Sequence, residues 1–130
     1  MQTNKENLIV DLTFEFSLEV VEFSELLESK RKFNMANQLF RSGTSIGANV
    51  REAQNAESKA DFIHKMKIAA KEADETEYWL LLSKKSKSYP DPESLLIKIT
   101  SINKVLSKII SSSKSTYNKS ETKFIIKSPN

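Results

Sequence analysis

The chain has no cysteine, and only two glycines, three prolines, one histidine and one tryptophan among its 130 residues. The lack of cysteine excludes a disulfide framework and a thiolate metal site, as suits the reducing cytoplasm. No apolar run approaches the roughly 20 residues that span a bilayer. Acidic residues follow the first apolar residues, where a signal peptide would stay apolar. We therefore expect one cytoplasmic domain, without membrane contact, that is large enough to bury a core.

Charge is distributed unevenly along the chain. Residues 1–29 hold seven acidic residues and one basic residue, whereas residues 30–130 hold nineteen basic and ten acidic residues. Such asymmetry indicates an electrostatic partner, either nucleic acid or another copy of the chain. A solvated acidic face on the first helix explains the N-terminal excess of acid equally well.

Four segments repeat apolar residues at spacings of three and four, the period of amphipathic helices, and none alternates with the period of a strand. They span about residues 8–29, 35–56, 59–86 and 92–112. Ser58 with Asp61 predicts a capping box before the third segment, and Asp91 followed by Pro92 predicts the start of the fourth. Short connections favour antiparallel neighbours, so the pattern predicts an all-α, up-down-up-down four-helix bundle over residues 1–112.

The rest of the chain, residues 113–130, is rich in serine and lysine and is predicted to be a mobile tail. It carries a short apolar patch at residues 124–126 that can dock on the bundle or on a partner. The first helix has more apolar residues than one stripe requires. This surplus indicates packing against further copies of the chain, or a broad face that meets two helices of the same bundle.

Both glycines, Gly43 and Gly47, fall four residues apart inside the second helix. Glycine in a helix interior costs about 1 kcal/mol relative to alanine, so we expect a neighbouring helix to approach closely here. A stripe of small and polar residues accompanies them: Ser42, Ser45, Asn49 and Glu52. If it faces the interior, Asn49 and Glu52 are expected to pair with another helix and to fix the helix register.

Two runs of sequence resemble a known family. They are RSGTSIGANVREAQ at residues 41–54 and KIAAKEADETEYWL at residues 67–80. The family is that of the bacterial four-helix bundle proteins encoded by intervening sequences of 23S rRNA genes, and the resemblance covers about residues 8–112. Its characteristic Ser-Ile pair, followed by Asn and then Glu, is matched here by Ser45, Ile46, Asn49 and Glu52.

This family is similar to the accessory protein of diversity-generating retroelements, which assists a reverse transcriptase and binds nucleic acid. The resemblance implies a ring-shaped homopentamer without enzymatic activity. We expect RNA or DNA, or a nucleic-acid enzyme, as the partner.

The residue inventory offers little for catalysis or for metal binding. His64 is the only histidine, so a Ser-His-Asp arrangement would depend on that one residue. Asp61 precedes it by three residues, but carboxylate-bridged metal sites in bundles need a second acid-x-x-His pair from another helix. No glycine-rich phosphate loop is present, because both glycines lie within the second helix. We therefore expect no enzyme, no cofactor and no metal site.

Basic residues flank the first and third connections, which lie at the same end of an up-down-up-down bundle. We call this set the basic pole: Lys30, Arg31, Lys32, Lys84, Lys85 and Lys87. Phosphate backbones are attracted to such surfaces without base readout, so we predict contact with nucleic acid, in particular RNA. A sparser second set is Arg41, Arg51 and Lys59. Basic residues at helix C-termini also complement the helix dipole, which needs no ligand.

An alternative function is a protein-interaction module. In this interpretation the acidic first helix and the apolar patch of the tail recruit a partner protein. Salt dependence separates the two hypotheses, because phosphate contacts release counterions and an apolar docking surface does not.

Overall fold

The computed structural model describes the backbone of residues 4–127 and the side chains of residues 8–118. It contains four α-helices: α1 (Asn4–Ser29), α2 (Phe33–Ala53), α3 (Lys59–Lys85) and α4 (Glu93–Lys127). Each helix packs against the next, and α4 closes against α1. The diagonal pairs α1–α3 and α2–α4 have no Cα atoms within 8 Å of each other in the described chain. The fold is the predicted antiparallel up-down-up-down bundle.

Helix α4 continues to Lys127, beyond the end near Ser112 that the apolar periodicity predicted. Neither glycine nor proline interrupts residues 93–127, and serine and lysine are tolerated in a helix. The assignment of residues 113–130 to a separate mobile tail stays a prediction. The side chains of the apolar patch at residues 124–126 lie outside those that the structure describes.

The core is a single apolar cluster to which all four helices contribute. Its largest fully buried side chains include Phe16, Leu27, Leu39, Ile46, Met66, Leu80, Leu95, Ile99, Ile102 and Leu106. With the smaller and the polar buried side chains included, buried positions recur at spacings of three and four on every helix. Each helix therefore turns one stripe inward. The connections are left on the surface at the two ends of the bundle.

The two glycines are the points where α1 and α2 approach most closely. A Cβ atom added to Gly43 would lie 2.8 Å from Cγ2 of Val20. A Cβ added to Gly47 would lie 3.1 Å from the carbonyl oxygen of Thr13 and 3.3 Å from Oγ of Ser17. The hydroxyl groups of Thr13 and Ser17 donate to carbonyl oxygens one turn earlier in α1, so neither is left unpaired. The close packing predicted from the glycines is confirmed.

Helices α2 and α3 are joined by a buried polar contact. The hydroxyl groups of Ser42 and Thr76 lie 2.9 Å apart and form a hydrogen bond, and both side chains are fully buried. Oγ1 of Thr76 also lies 2.7 Å from the carbonyl oxygen of Glu72. This contact brings one position on α2 and one on α3 to the same level of the bundle.

The other polar residues of the α2 stripe do not pair in the interior. Asn49 is half-buried and donates to the carbonyl oxygen of Ser45 in its own helix at 2.8 Å. Glu52 is exposed, and its carboxylate lies 4.0 Å from the ammonium group of Lys65 on α3. Ser42, rather than Asn49 or Glu52, therefore makes the buried contact between α2 and α3.

Candidate nucleic-acid interface

The turn between α1 and α2 is a Schellman motif. The N–H of Lys32 donates to the carbonyl of Leu27 at 2.8 Å, and the N–H of Arg31 donates to the carbonyl of Glu28 at 2.8 Å. Arg31 has a φ of 64°, in the left-handed region where glycine most often ends a helix. A residue with a side chain costs about 1–2 kcal/mol in that conformation. The turn thus carries a long cationic side chain where glycine would be more stable.

The first and third connections meet at one end of the bundle, as predicted. The ammonium group of Lys32 lies 4.8 Å from the centre of the Tyr89 ring. The same group donates to Oγ of Ser88 at 3.4 Å. These contacts place residues 30–32 beside residues 86–92 and bring the six residues of the basic pole to the same end.

The cations of the basic pole differ in how far they are already paired. Lys84 forms an ion pair with Glu93, whose hydrogen bond and negative charge raise the pKa of Lys84 above its ordinary value. Lys32 is half-buried against Tyr89. The remaining four side chains are exposed and form no ion pair among the described residues: Lys30, Arg31, Lys85 and Lys87. They are the cations that this end offers to an anionic ligand.

An acid and two aromatic residues complete this end of the bundle. The carboxylate of Asp91 accepts the N–H of Glu93 at 3.1 Å and so caps α4, as predicted. Phe33, the first residue of α2, is 52% exposed. Tyr89 is half-buried, and Lys32 lies over its ring. Phe33 is therefore the more exposed of the two aromatic side chains at this end.

Arg41 lies midway along the bundle rather than at the basic pole. Its guanidinium pairs with Glu72 at 3.5 Å and with Glu75. The indole N–H of Trp79 donates to the same Glu75 carboxylate at 3.0 Å. Lys71 precedes Glu75 by one helical turn, the spacing at which opposite charges pair within a helix. The contact with Arg41 depends on how α2 and α3 pack, which spacing along one helix does not reveal.

Arg51 and Lys59 lie at the end opposite the basic pole. Arg51 is exposed at the rim of an apolar groove of about 270 Å³ between α1 and α2, whose walls include Phe14 and Ala48. The ammonium group of Lys59 lies 5.7 Å from the centre of the Phe62 ring. The fold therefore brings together the six residues of the basic pole and separates Arg41, Arg51 and Lys59 from them.

Asp61 takes part in capping the start of α3, as predicted. Oγ of Ser58 accepts the N–H of Asp61 at 3.0 Å, and the Asp61 carboxylate accepts the N–H of Glu57 at 3.3 Å. His64 is exposed. Within the described residues, no group of three or more His, Cys, Asp or Glu side chains is placed to hold a metal ion.

The length and hydropathy of the helices bear on whether they could span a membrane. None of the helices, over the residues that the structure describes, is both long and apolar enough to cross a bilayer.

Comparison with known proteins identifies the family. Residues 5–122 match the family described as 23S rRNA-intervening sequence protein. A solved structure, of a protein with unknown function from the S23 ribosomal protein family of Bacteroides thetaiotaomicron VPI-5482, is 46% identical with a TM-score of 0.78. The match covers 82% of this chain and 98% of that chain. No curated protein matches. The matched segment includes residues of all four helices and nearly the whole chain. The chain therefore belongs to the 23S rRNA-intervening sequence protein family.

Proposed function

We propose that the protein is a non-enzymatic, cytoplasmic scaffold that binds nucleic acid, in particular RNA, through phosphate contacts from the basic pole. The observation that carries this proposal is the meeting of two basic connections with four exposed, unpaired cations among the described residues. Such cations bind phosphate oxygens without reading the bases, and they position a protein on a strand. An exposed Phe33 beside them adds a surface for base stacking.

Self-assembly is part of the proposal. The homopentamer that the resemblance implies would repeat the basic pole around one axis. Linked binding sites convert later contacts into intramolecular ones, so a ring would hold a nucleic acid more tightly than a single copy. We propose a nucleic-acid enzyme as a second partner of this scaffold.

Arg31 supports the proposal because its backbone conformation opposes stability. Replacing Arg31 with glycine removes one cation and relieves the left-handed conformation. We expect the Arg31→Gly variant to be about 1 kcal/mol more stable towards urea and to bind RNA more weakly. A residue that serves only the turn would give higher stability with unchanged binding.

The experiment that tests the proposal is titration of fluorescently labelled structured RNA and duplex DNA at several salt concentrations. The basic-pole variant Lys30→Glu/Lys87→Glu is compared with Lys104→Glu/Lys108→Glu, which makes the same charge change at exposed positions of α4. Each phosphate contact contributes about 0.7 to 0.9 to the slope of log K against log salt. We expect the first variant to lose about 1.5 of this slope and the second to lose none. Equal weakening in both variants would show that net charge, rather than the basic pole, determines binding.

The alternative, a module that recruits a partner protein, is favoured by a different observation. Phe14 and Leu18 are 58% and 54% exposed along the acidic helix α1. A partner that docks there through apolar contacts would bind with little dependence on salt, unlike a phosphate backbone. Binding of RNA or DNA that does not change with salt would therefore count against the basic pole.

A further inference from the structure

Two diagonal helices carry exposed apolar residues on opposite sides of the bundle. Helix α1 exposes Phe14 and Leu18, and α3 exposes Tyr78 (59%) and Leu82 (40%). The two helices have no Cα atoms within 8 Å of each other in the described part of the chain. Exposed apolar residues grouped in this way mark surfaces that associate with other molecules. We call these surfaces the α1 face and the α3 face.

The α1 face is bordered by acidic residues that lack a partner. Asp11, Glu15 and Glu22 are exposed, and none of them forms an ion pair among the described residues. Glu19 differs, because it pairs with Lys98 of α4. The hydrogen bond and charge of Glu19 raise the pKa of Lys98 above its ordinary value, and the negative charges of Glu15 and Glu22 add a smaller effect. The α1 face thus combines apolar side chains with several acidic residues that share one nearby lysine.

The α3 face is bordered by basic residues that form no ion pair in the described part of the chain. Lys67 and Lys71 are exposed, and Glu75, which would pair with Lys71 within the helix, is bound to Arg41 instead. The hydrogen bond from Lys67 and its positive charge lower the pKa of Lys114 on the adjacent helix α4 below its ordinary value. A like charge has this effect where no acid compensates for it. An exposed acid, Asp74, lies on the same stripe between Lys71 and Tyr78. The part of the α3 face that carries Lys67 and Lys71 therefore complements the α1 face in charge.

The two faces also correspond in height along the bundle. Gly43 lies against the side chain of Val20, and the adjacent Ser42 hydrogen-bonds to Thr76. Val20 and Thr76 therefore lie at nearly the same level. Helices α1 and α3 run in the same direction, and both rise about 1.5 Å per residue. A residue of α1 and a residue of α3 therefore lie at the same level when the first is as many residues before or after Val20 as the second is before or after Thr76.

This correspondence aligns the unpaired charges. Asp11 lies nine residues before Val20, and Lys67 lies nine residues before Thr76. In the same way, Glu15 lies five residues before Val20, and Lys71 lies five residues before Thr76. Two acids of the α1 face therefore lie level with two lysines of the α3 face.

The other end of the bundle has the same alignment. Lys32 contacts Ser88. These two residues are as far apart in the sequence as Val20 and Thr76 are. Leu26 and Leu82, both partly exposed, share a level as well. Between these levels the apolar residues are staggered, because Phe14 and Leu18 lie level with Ala70 and Asp74, and Tyr78 lies level with Glu22. The correspondence therefore rests on the two pairs of opposite charges and on Leu26 with Leu82.

We propose that the α1 face of one copy docks against the α3 face of a second copy, with Asp11 opposite Lys67 and Glu15 opposite Lys71. Rotation about an axis parallel to the bundle keeps every residue at its own level, so it brings these charges together. The contact is heterologous: each copy keeps one free face, and the chain of contacts closes into a ring or continues as a filament. It also places every basic pole at the same end of the assembly. This inference rests on the self-assembly in the proposed function and is independent of nucleic-acid binding.

The test is analytical ultracentrifugation of charge-reversal variants. Glu15→Lys places two lysines opposite each other, and Lys71→Glu places two glutamates opposite each other. Like charges across an interface are strongly unfavourable, so we expect each single variant to need roughly tenfold or more protein for half-assembly. The double variant Glu15→Lys/Lys71→Glu restores opposite charges and should reassemble. Lys108→Glu, an exposed change on α4, should assemble as the wild type does.

Mixing the two single variants distinguishes a broken interface from a misfolded chain. In an equal mixture, the lysine introduced by Glu15→Lys meets the glutamate introduced by Lys71→Glu, and the unchanged Glu15 and Lys71 also meet. We expect the mixture to associate at protein concentrations at which neither variant alone does. Because two alternating variants cannot close a five-membered ring without one like-charge contact, the mixed species should be open or even-membered. Circular dichroism of each variant should retain wild-type helicity.

Each outcome bears on a different claim. Single variants that assemble like the wild type, or a double variant that stays dissociated, would overturn the docking of these two faces while leaving self-assembly intact. A wild-type protein that sediments only as a 14.8 kDa species would overturn self-assembly itself. Neither result affects the salt-dependent RNA titration, which tests the basic pole separately.

Discussion

Gly43→Ala perturbs the closest contact between α1 and α2. The added methyl group would lie 2.8 Å from Cγ2 and 2.9 Å from Cγ1 of Val20. Val20 is buried, and a β-branched side chain in a helix has essentially one rotamer, so it cannot turn away. The two helices must therefore move slightly apart, or the side chains at the contact must adopt strained conformations. Overpacking of this kind costs about 1–3 kcal/mol.

The same substitution has an opposing, favourable effect. Alanine is more stable than glycine in a helix by about 1 kcal/mol. The balance predicts that Gly43→Ala lowers the free energy of unfolding by about 1 kcal/mol. In a Val20→Ala background both Cγ atoms are gone, and the nearest remaining atom, Cβ of residue 20, lies at 3.3 Å. There, Gly43→Ala should instead raise the free energy of unfolding by up to about 1 kcal/mol.

The assay is a double-mutant cycle from urea unfolding, followed by circular dichroism. The protein concentration is kept fixed, because the proposed self-assembly would also stabilise the fold. Ala48→Gly, at an exposed position of α2, measures the helix-propensity difference without the contact. A change of sign between the two backgrounds is the expected result. Stabilisation by Gly43→Ala in the wild-type background, or the same effect in both, would refute the close-packing argument.

Three further predictions concern single side chains. Thr76→Val leaves the buried hydroxyl of Ser42 without its partner and should lower the unfolding free energy by about 1–3 kcal/mol, whereas Ser42→Ala/Thr76→Val should cost less in the same urea assay. The hydroxyl of Ser83 is buried without a partner in the described structure, so Ser83→Ala should keep or raise the midpoint of thermal unfolding. Lys67→Ala removes the hydrogen bond and the like charge that lower the pKa of Lys114, so an NMR titration should find that pKa closer to 10.5.

The sequence pattern predicted the helices and their order because apolar spacing and capping residues are local signals. Asp91 and Ser58 cap α4 and α3 as expected, and the two basic connections meet. The end of α4 was not predicted, because the apolar spacing stops near Ser112 whereas the helix continues through serine and lysine residues to Lys127. Pro129, two residues further on, is the sequence signal that agrees with this end. Arg31 was not recognised as the left-handed residue of the α1–α2 turn, because that position is most often glycine.

The pairing of polar side chains was less predictable than the helices. The pattern suggested that Asn49 and Glu52 join helices in the interior, yet Asn49 bonds within α2 and Glu52 is exposed. Arg41 reaches Glu75 across the gap between α2 and α3. Such contacts depend on the rotation of each helix about its axis, which a one-dimensional pattern fixes only approximately.

Salt-dependent binding of the wild-type protein to structured RNA and duplex DNA tests the central claim most directly. If the basic pole contacts phosphates, log K should fall linearly with log salt, and the slope should reflect several contacts. Failure to bind either nucleic acid at the lowest salt concentration, or binding that salt does not weaken, would contradict the proposed function.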